Sequence, residues 1–213
     1  MTFILASNNQ KKKAEMIRIL GSLDDITPPA HSDFESIEIK TAADLGITPP
    51  DPEETGKTFA ENAYIKAKAF CEASGLPAIA DDSGLCVDAL DGAPGVHTAR
   101  FAGDDATDGT NINKLLECLE GVPDEKRGAA FVCHITCLFP DGRQIDAEGR
   151  CEGFISNERM GSGGFGYDPV FLIRPGVSTA MLENAEKDAI SHRGKALRAF
   201  QFTIHNAQFI MHN

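Results

Sequence analysis

The stretch Pro77-Ala78-Ile79-Ala80-Asp81-Asp82-Ser83-Gly84-Leu85-Cys86-Val87 places two adjacent carboxylates inside an apolar run. A short apolar run bounded by Pro and Gly is typical of a buried strand. Ser83-Gly84 predicts a bend after that strand, with a second strand beginning at Leu85. The two acids are therefore expected at the end of a strand. Adjacent carboxylates near an apolar core repel each other, so we expect a raised pKa or a cation beside them.

Carboxylate oxygens are the ligands that a hard divalent metal such as Mg²⁺ prefers. Asp81 and Asp82 are thus candidate catalytic and metal-binding residues. An isolated Asp-Asp-Ser-Gly is more often a solvated turn, because short motifs match by chance. The rest of the chain decides between the two interpretations.

With 213 residues, of which 42% are hydrophobic, the chain is long enough to bury a full core, and we expect one domain over residues 1–213 without a separable linker. The net charge of −12 argues against nucleic acid or an anionic membrane as partner, because most of the surface repels phosphate. An anionic ligand must meet locally clustered Lys and Arg. No apolar run approaches the roughly 20 residues that span a bilayer. Met1-Thr2-Phe3-Ile4-Leu5-Ala6 is too short for a signal peptide, so a cytoplasmic protein is predicted.

The cysteines are predicted to be reduced, and most of them lie in apolar runs where a thiol acts as a small hydrophobic group. There are six of them, at positions 71, 86, 118, 133, 137 and 151, and they form no Cys-x-x-Cys pair. The segment Cys133-His134-Ile135-Thr136-Cys137 suggests a metal site at first sight. On a strand, however, His134 points away from the face that carries the two cysteines, so core packing is the favoured interpretation.

The chain opens with a strand, a polar turn and a helix, which is typical of an α/β fold. The strand is Thr2–Ala6, the turn is Ser7-Asn8-Asn9, and the helix runs from about Gln10 to Leu20. The first amides of that helix, with Lys11 and Lys12 beside them, would attract phosphate. A capped helix with a solvated basic first turn explains the same residues equally well.

A second helix is predicted from the Thr58-Phe59-Ala60-Glu61 capping box to Ser74-Gly75. Lys66 falls on its apolar side. The lysine either extends past the core to water or points into a cleft and neutralises an anion. Gly56-Lys57-Thr58 imitates the end of a P-loop, but Asp51 stands where that motif requires Gly, so a P-loop is rejected.

The second half of the chain predicts further strands, a glycine-rich loop and a basic turn. A helix is expected near Thr107–Leu119 and a β-hairpin over residues 131–149, which implies a mixed sheet. Phe165 and Tyr167, within the loop 161–169, are candidates for stacking on a base. A helical region from about Thr179 to the C-terminus is broken by Ser191-His192-Arg193-Gly194. With Lys187 one turn earlier, that turn forms a second basic cluster.

Six motifs in this order resemble the inosine triphosphate pyrophosphatase family, and the matches run nearly from end to end. They are Ser7-Asn8-Asn9-Gln10-Lys11-Lys12, the helix entry Glu53-Glu54-Thr55-Gly56 with Phe59-x-Glu61-Asn62-Ala63, Ala80-Asp81-Asp82-Ser83-Gly84-Leu85, Gly92-Ala93-Pro94-Gly95, Gly163-Gly164-Phe165-Gly166-Tyr167-Asp168-Pro169 and Ser191-His192-Arg193-Gly194.

The resemblance implies hydrolysis of ITP, dITP or XTP to the monophosphate and pyrophosphate. It also implies a two-lobed, Maf-like α/β fold with a long mixed sheet flanked by helices, an active-site cleft between the lobes, and a homodimer. Asp82 is then proton acceptor and Mg²⁺ ligand, with Asp81 and Lys66 as further catalytic residues and Glu54 or Glu61 assisting at the metal. The implied substrate-binding residues are Ser7, Asn8, Asn9, Gln10, Lys11, Lys12, Ser83, Phe165, Gly166, Tyr167, Asp168, Lys187, His192 and Arg193.

Two other functions remain open at this point: a Maf-like pyrophosphatase for other modified nucleotides, and a nucleotide-binding sensor without turnover. The acid pair separates enzyme from sensor, because a binder of polyanions gains nothing from two added negative charges unless they hold a metal for chemistry. The segment 24–51 looks longer than is usual in the family, and His97 stands where Tyr is common.

Overall fold

The computed structural model describes residues 1–23 and 38–211. In chain order its strands and helices are β1 (Thr2–Ala6), α1 (Gln10–Leu23), β2 (Glu38–Lys40), α2 (Phe59–Ser74), β3 (Ala78–Val87), α3 (Asp108–Cys118), β4 (Gly128–Leu138), β5 (Gln144–Ile155), β6 (Phe171–Arg174), β7 (Val177–Ser178), α4 (Asn184–Ile190) and α5 (His192–Met211).

Most of these elements lie where the sequence predicts them. The alternation in Ser36-Ile37-Glu38-Ile39-Lys40 also predicts a strand, and β2 covers Glu38–Lys40, while Ser36 and Ile37 lie outside the described residues. The helical region after Thr179 is divided at Ser191, and His192 already belongs to α5. Of the helices within the described parts of the chain, none is both long and apolar enough to cross a membrane.

The strands form one mixed sheet in the order β2-β1-β3-β4-β5-β6-β7. Strand β1 runs parallel to β2 and to β3, with Ile4 opposite Ala78, whereas β6 is antiparallel to both β5 and β7. Parallel neighbours need a long connection, and α2 lies in the connection that leads to β3. The α/β class and the mixed sheet predicted from the sequence are therefore confirmed.

The prediction of two strands that meet at Ser83-Gly84 is wrong. Strand β3 runs without interruption through ten residues, and the acids are its fourth and fifth residues rather than its end. β3 lies between β1 and β4 in the sheet, and all of its residues except Cys86 are buried. A bend at this position would leave buried backbone N–H and C=O groups without their ladder partners, which costs more than keeping Ser and Gly extended.

The chain divides into two compact units. Unit 1 contains Met1–Asp82, His134–Gly149 and Gly194–Asn213, and unit 2 contains Ser83–Cys133 and Arg150–Arg193. Neither unit is one continuous segment, and a unit boundary falls inside β3. The single two-lobed domain and its cleft stay predictions. The unit 1 core includes Ile4, Ala6, Ala67, Phe70, Ala78, Ala80 and Leu138, and the unit 2 core includes Leu85, Val87, Ile112, Leu115, Ile155, Val170 and Phe171.

The cysteines are free thiols, of which Cys118 is exposed, and the two on strand β4 follow its alternation. Cys133, Ile135 and Cys137 are fully buried in the core. His134 instead lies 3.1 Å from Asp146, through Nε2 and Oδ1. The preference for core packing over a Cys/His metal site is therefore confirmed.

Helix α2 begins and ends as its sequence predicts. The Thr58 hydroxyl accepts from the Glu61 N–H at 3.2 Å, and Glu61 Oε2 accepts from the Thr58 N–H at 3.1 Å. Gly75 ends the helix in the left-handed conformation with φ of +69°. The cap fixes where α2 starts, and this in turn fixes which α2 side chains face β3.

Replacing Thr58 with Ala is expected to lower the free energy of unfolding by about 0.5–2 kcal/mol, because one end of the capping box is lost. The measurement is the midpoint of urea unfolding. Thr203→Ala is the control, since Thr203 is exposed and its hydroxyl donates only to a carbonyl of its own helix. Equal midpoints for Thr58→Ala and the wild type would contradict a stabilising cap.

Candidate active site

The buried acids of β3 meet lysines from two helices of unit 1. Asp81 and Asp82 are 2% and 5% exposed. The Lys66 ammonium lies 3.2 Å from Asp82 Oδ1 and 3.2 Å from Glu54 Oε1. Lys12 Nζ lies 3.3 Å from Asp81 Oδ2. We call these five residues the acid–lysine cluster, and all of them were predicted as site residues.

The position of Lys66 decides between its two interpretations. Its side chain is only 13% exposed and turns towards two carboxylates rather than past the core to water. Burial opposes the charged ammonium, but the carboxylates of Asp82, Asp81 and Glu54 together raise the pKa of Lys66 above its usual value. Lys66 is therefore a charged group held inside the protein.

Burial raises the pKa of Asp82 above its usual value. Lys66 and Lys12 partly offset this shift, while the nearby charges of Glu54 and Asp81 add to it. A carboxylate with a raised pKa is a better proton acceptor than one with the ordinary pKa, and such shifts are common at catalytic sites.

The oxygens of Glu54 and Asp82 fit a divalent cation. Between them they already hold one cation, the Lys66 ammonium, and their mutual repulsion would fall in the presence of a metal. Among residues 1–23 and 38–211, no group of three His, Cys, Asp or Glu side chains is arranged to hold an ion. Mg²⁺ does not need such a cage, because it usually keeps several waters and binds one or two carboxylates together with substrate phosphates.

Glu61, the alternative predicted metal ligand, has a different position. Its Oε2 accepts from the backbone N–H groups of Lys57 and Thr58 in the α2 capping box. The two N–H groups at the start of the helix would otherwise have no acceptor, so this oxygen of Glu61 is used to cap the helix. The structure thus brings Glu54 to Asp82 and leaves Glu61 in the cap.

The residues before α1 mostly organise the start of that helix. Asn9 Oδ1 accepts from the N–H groups of Lys11 and Lys12 at 3.0 and 3.1 Å. Ser7 Oγ accepts from the Asn9 N–H, and Asn8 donates to the Pro50 carbonyl. The capping interpretation holds for the backbone amides of Lys11 and Lys12, whereas the Lys12 side chain contacts Asp81. Gln10 and Lys11 are exposed in the first turn of α1.

In unit 2, Arg193 is almost completely buried, with 1% exposure, and donates from Nη2 to the Ser83 hydroxyl at 2.8 Å. The neighbouring His192 stacks on Phe131, with ring centres 4.8 Å apart and ring planes 15° from parallel. Phe131 in turn contacts Phe171. A buried guanidinium and an imidazole held against an aromatic ring are thus fixed at the start of α5.

A second part of unit 2 joins the glycine-rich loop to α4. Asp168 Oδ2 accepts from the Lys187 ammonium at 2.5 Å and from the Phe165 N–H at 2.8 Å. Its other oxygen accepts from the Thr179 hydroxyl. The Lys187 ammonium also lies 5.0 Å from the centre of the Phe165 ring. We call Phe165, Asp168, Lys187, His192 and Arg193 the aromatic–basic cluster.

Gly166 and Tyr167 have structural positions in the loop. The Gly166 N–H donates to Asp108 Oδ2 at 3.0 Å, and its φ of +60° suits glycine. Tyr167 is 3% exposed, and its hydroxyl donates to the Thr98 carbonyl. Burial raises the pKa of that hydroxyl. Tyr167 lies in the core of unit 2, so stacking on a base stays a prediction for the half-buried Phe165 alone.

Sequence reasoning gave no role to three residues that contact the site. They are Asn62, which donates to Asp82, Phe131, which supports His192, and Thr179, which donates to Asp168. Asn62 could have been identified, since it precedes Lys66 by four residues and so shares its helix face. The other two contacts follow neither a helix nor a strand period, so no local sequence pattern predicts them.

The chain is thus an α/β protein with a mixed sheet, an acid–lysine cluster in unit 1 and an aromatic–basic cluster in unit 2. The sequence model of the Ham1 family matches residues 3–202 of this chain. The chain belongs to the Ham1 family. The family resemblance inferred from the six motifs is thereby confirmed.

Related sequences and structures agree with this assignment. Proteins named dITP/XTP pyrophosphatase from Shigella flexneri and Corynebacterium efficiens are each 45% identical over 206 residues, covering 95% and 93% of this chain and 98% and 95% of theirs. A HAM1 protein from Coxiella burnetii has a TM-score of 0.80 at 40% identity, covering 98% of both chains. The Ham1 protein of Staphylococcus aureus has a TM-score of 0.80 at 34% identity, covering 97% of this chain and 100% of its own.

Asp82→Asn is expected to raise the melting temperature near pH 7. The folded state holds the Asp82 proton more tightly than the unfolded chain, so wild-type stability is lost as pH rises through the raised pKa. Below the unfolded-state pKa of about 3.9, the Asp82 side chain of the wild type is protonated and as neutral as the Asn of the variant. The difference in melting temperature therefore disappears. The measurement is the difference in melting temperature between variant and wild type from pH 3.5 to 8.

Asp44→Asn serves as a control of opposite sign. Hydrogen bonds from the N–H and hydroxyl of Thr41 lower the pKa of Asp44. Its contribution to stability is present above the unfolded pKa and is lost as pH falls, so this variant should be less stable than wild type at pH 7. A melting temperature for Asp82→Asn below that of wild type at pH 7 would show that ionised Asp82 stabilises the fold.

Proposed function

We propose that this protein is a nucleoside-triphosphate pyrophosphohydrolase. It converts dITP, XTP and ITP to the monophosphate and pyrophosphate, and so removes deaminated purine nucleotides from the cellular pool. The observation that carries the proposal is the acid–lysine cluster, in which Lys66 lies 3.2 Å from both Glu54 and Asp82. The names of the relatives, dITP/XTP pyrophosphatase, support the same reaction.

In the proposed reaction Asp82 accepts a proton from a water molecule. The water oxygen forms a bond to the α-phosphorus, and the bond from that phosphorus to the oxygen bridging to the β-phosphate breaks. The leaving group is pyrophosphate, which carries the electron pair of the broken bond. The raised pKa of Asp82 favours this role, because a general base works best with a pKa near the working pH.

The lysines of the acid–lysine cluster would stabilise the negative charge that develops on the phosphates during the reaction. Lys66 and Lys12 are fixed donors on either side of the acid pair, so they need little reorganisation during the reaction. Glu54 and Asp82 would hold Mg²⁺, which supplies neutralisation of the polyphosphate charge when bound. Asp81 keeps Lys12 in place beside them.

We assign the base of the nucleotide to the aromatic–basic cluster. Phe165 offers a ring for stacking, and Lys187, His192 and Arg193 carry donors for an oxygen at position 6 of the purine. Adenine has an amino group at that position and would face these donors with a donor of its own. The cluster lies in one unit with its members held by Asp168, Phe131 and Ser83, which supports a preformed specificity site.

The remaining features of the proposal come from the family resemblance and from the composition and charge of the chain. We carry forward a homodimer, a cytoplasmic location, Mg²⁺ as the metal, and the absence of nucleic-acid and membrane partners. The net charge of −12 supports the last of these, since it disfavours binding to phosphate-rich surfaces.

We expect turnover of dITP and XTP to require Mg²⁺ and to release pyrophosphate. A phosphate assay should therefore stay silent until inorganic pyrophosphatase is added. Asp82→Asn should lower kcat about 10²–10⁴-fold, as expected for loss of a general base. Asp105→Asn, at an exposed position, is the matched control with wild-type rate.

Three outcomes would contradict this reaction. Direct release of phosphate means that a different bond is cut. Nucleotide binding without any turnover means that the protein is a sensor. Turnover of a modified nucleotide other than ITP, dITP and XTP, with these three inert, favours the Maf-like alternative.

Selection for a 6-oxo purine is expected to depend on Arg193. A buried donor left unpaired costs about 1–3 kcal/mol, so two such donors should disfavour ATP against ITP by roughly a hundredfold in kcat/KM. Arg193→Met keeps the apolar stem and removes the guanidinium, and should reduce this ratio. The measurement is kcat/KM for ITP, XTP, GTP and ATP with both proteins. Equal wild-type values for ITP and ATP would overturn the base assignment, and an unchanged ratio in Arg193→Met would exclude Arg193 from it.

A further inference from the structure

Asn62 is a buried polar side chain that joins two parts of the acid–lysine cluster. It is the fourth residue of α2 and is 1% exposed. Its amide nitrogen donates to Asp82 Oδ2 at 3.2 Å, and its amide oxygen accepts from the Gly56 N–H at 2.8 Å. Both the donor and the acceptor of the planar Asn62 amide are thus hydrogen-bonded.

The contact to Asp82 completes a clamp on that carboxylate. Asn62 holds Oδ2, while Lys66, four residues later on the same helix face, holds Oδ1 at 3.2 Å. A carboxylate held through both oxygens by one helix has its rotation about the side-chain bond restricted. The proposed proton acceptor is therefore oriented by α2 before any ligand arrives.

The contact to Gly56 locates the segment before α2. A Cβ atom on Gly56 would lie 2.5 Å from Asn62 Oδ1 and 2.7 Å from Glu61 Cβ, so the backbone of this segment rests directly on the helix start. Glu54 lies two residues earlier in the same segment and contacts Lys66. Fixing Gly56 thereby limits where the Glu54 carboxylate lies relative to Asp82.

We propose that Asn62 is a positioning residue, which sets Asp82 and the Glu54 segment in one geometry for the reaction. The role in turnover rests on the proposed function, whereas the role in geometry does not. Asparagine is suited to both contacts because its side chain carries a donor and an acceptor at a fixed separation. Aspartate would keep the acceptor for Gly56 but replace the donor with a second charge facing Asp82.

The test compares Asn62→Ser, Asn62→Asp and Gly56→Ala with wild type. Loss of an outer support of a catalytic or metal-binding carboxylate typically costs about 10–100-fold in activity, so we expect kcat to fall by that factor in each variant. KM for dITP should change much less, because the aromatic–basic cluster is untouched. Gly56→Ala should reproduce the loss with Asn62 intact, since its new methyl group pushes the segment off Asn62.

Asn111→Ser is the matched control. Asn111 is 4% exposed, and its amide likewise holds a loop through both ends, accepting from the Ala102 N–H and donating to the Ala99 carbonyl. It contacts no carboxylate in these bonds. We expect Asn111→Ser to be destabilised to a similar extent as Asn62→Ser but to keep the wild-type kcat. If folded Asn62→Ser keeps wild-type kcat, or if Asn111→Ser loses as much kcat, Asn62 is a structural residue only.

A structural readout separates this inference from the proposed function. In crystal structures of Asn62→Ser we expect a rotated Asp82 carboxylate and a longer Lys66 to Glu54 distance than the 3.2 Å of the wild type. Should the wild type release no pyrophosphate, the proposed function fails while these displacements still test the geometry. An Asp82 carboxylate and a Glu54 segment unmoved in Asn62→Ser would overturn the inference whatever the activity.

Discussion

The contact of Lys66 with Asp82 is the interaction on which the rest of unit 1 depends. Two neighbouring carboxylates stand inside a buried central strand, where an uncompensated charge is very costly. The ammonium of Lys66 and that of Lys12 compensate for Asp82 and Asp81. Removing Lys66 would leave the charge of Asp82 behind, and such a loss from a buried pair typically costs about 3–5 kcal/mol, whereas Lys66 keeps Glu54 as a partner when Asp82 is neutral. The placement of α2, with its cap at Thr58 and its lysine two turns later, follows from this requirement.

Local patterns in the sequence predicted the elements that carry this contact. The Thr58 capping box and Gly75 fixed the ends of α2 almost to the residue, since both signals act within one turn of the chain. A lysine on an apolar helix face and an acid pair in an apolar run each called for a charged partner. Lys66 and Asp82 are 16 residues apart in the chain, and in the structure the Lys66 ammonium is hydrogen-bonded to the Asp82 carboxylate.

Other features depend on neighbours distant in sequence and could not be predicted from local patterns. Ser83-Gly84 looks like a bend, but the strands on both sides of β3 keep it extended. Tyr167 in a glycine-rich loop looks like a stacking residue, but its hydroxyl finds the Thr98 carbonyl 69 residues away. Glu54 and Glu61 were equal candidates for the metal, and only the capping bonds of Glu61 distinguish them.

The charge of the acid–lysine cluster supports a divalent cation as part of the substrate. Two lysines face three carboxylates, so the fully ionised cluster carries a net negative charge within a chain whose own net charge is −12. A bare triphosphate would be repelled by such a site. In the proposed function, a triphosphate chelated to Mg²⁺ would add positive charge beside Glu54 and Asp82, and its oxygens would become partners for Lys66 and Lys12. The carboxylates that disfavour free polyanions would thus favour the chelated nucleotide, and this would explain why the proposed phosphate site contains more acids than bases.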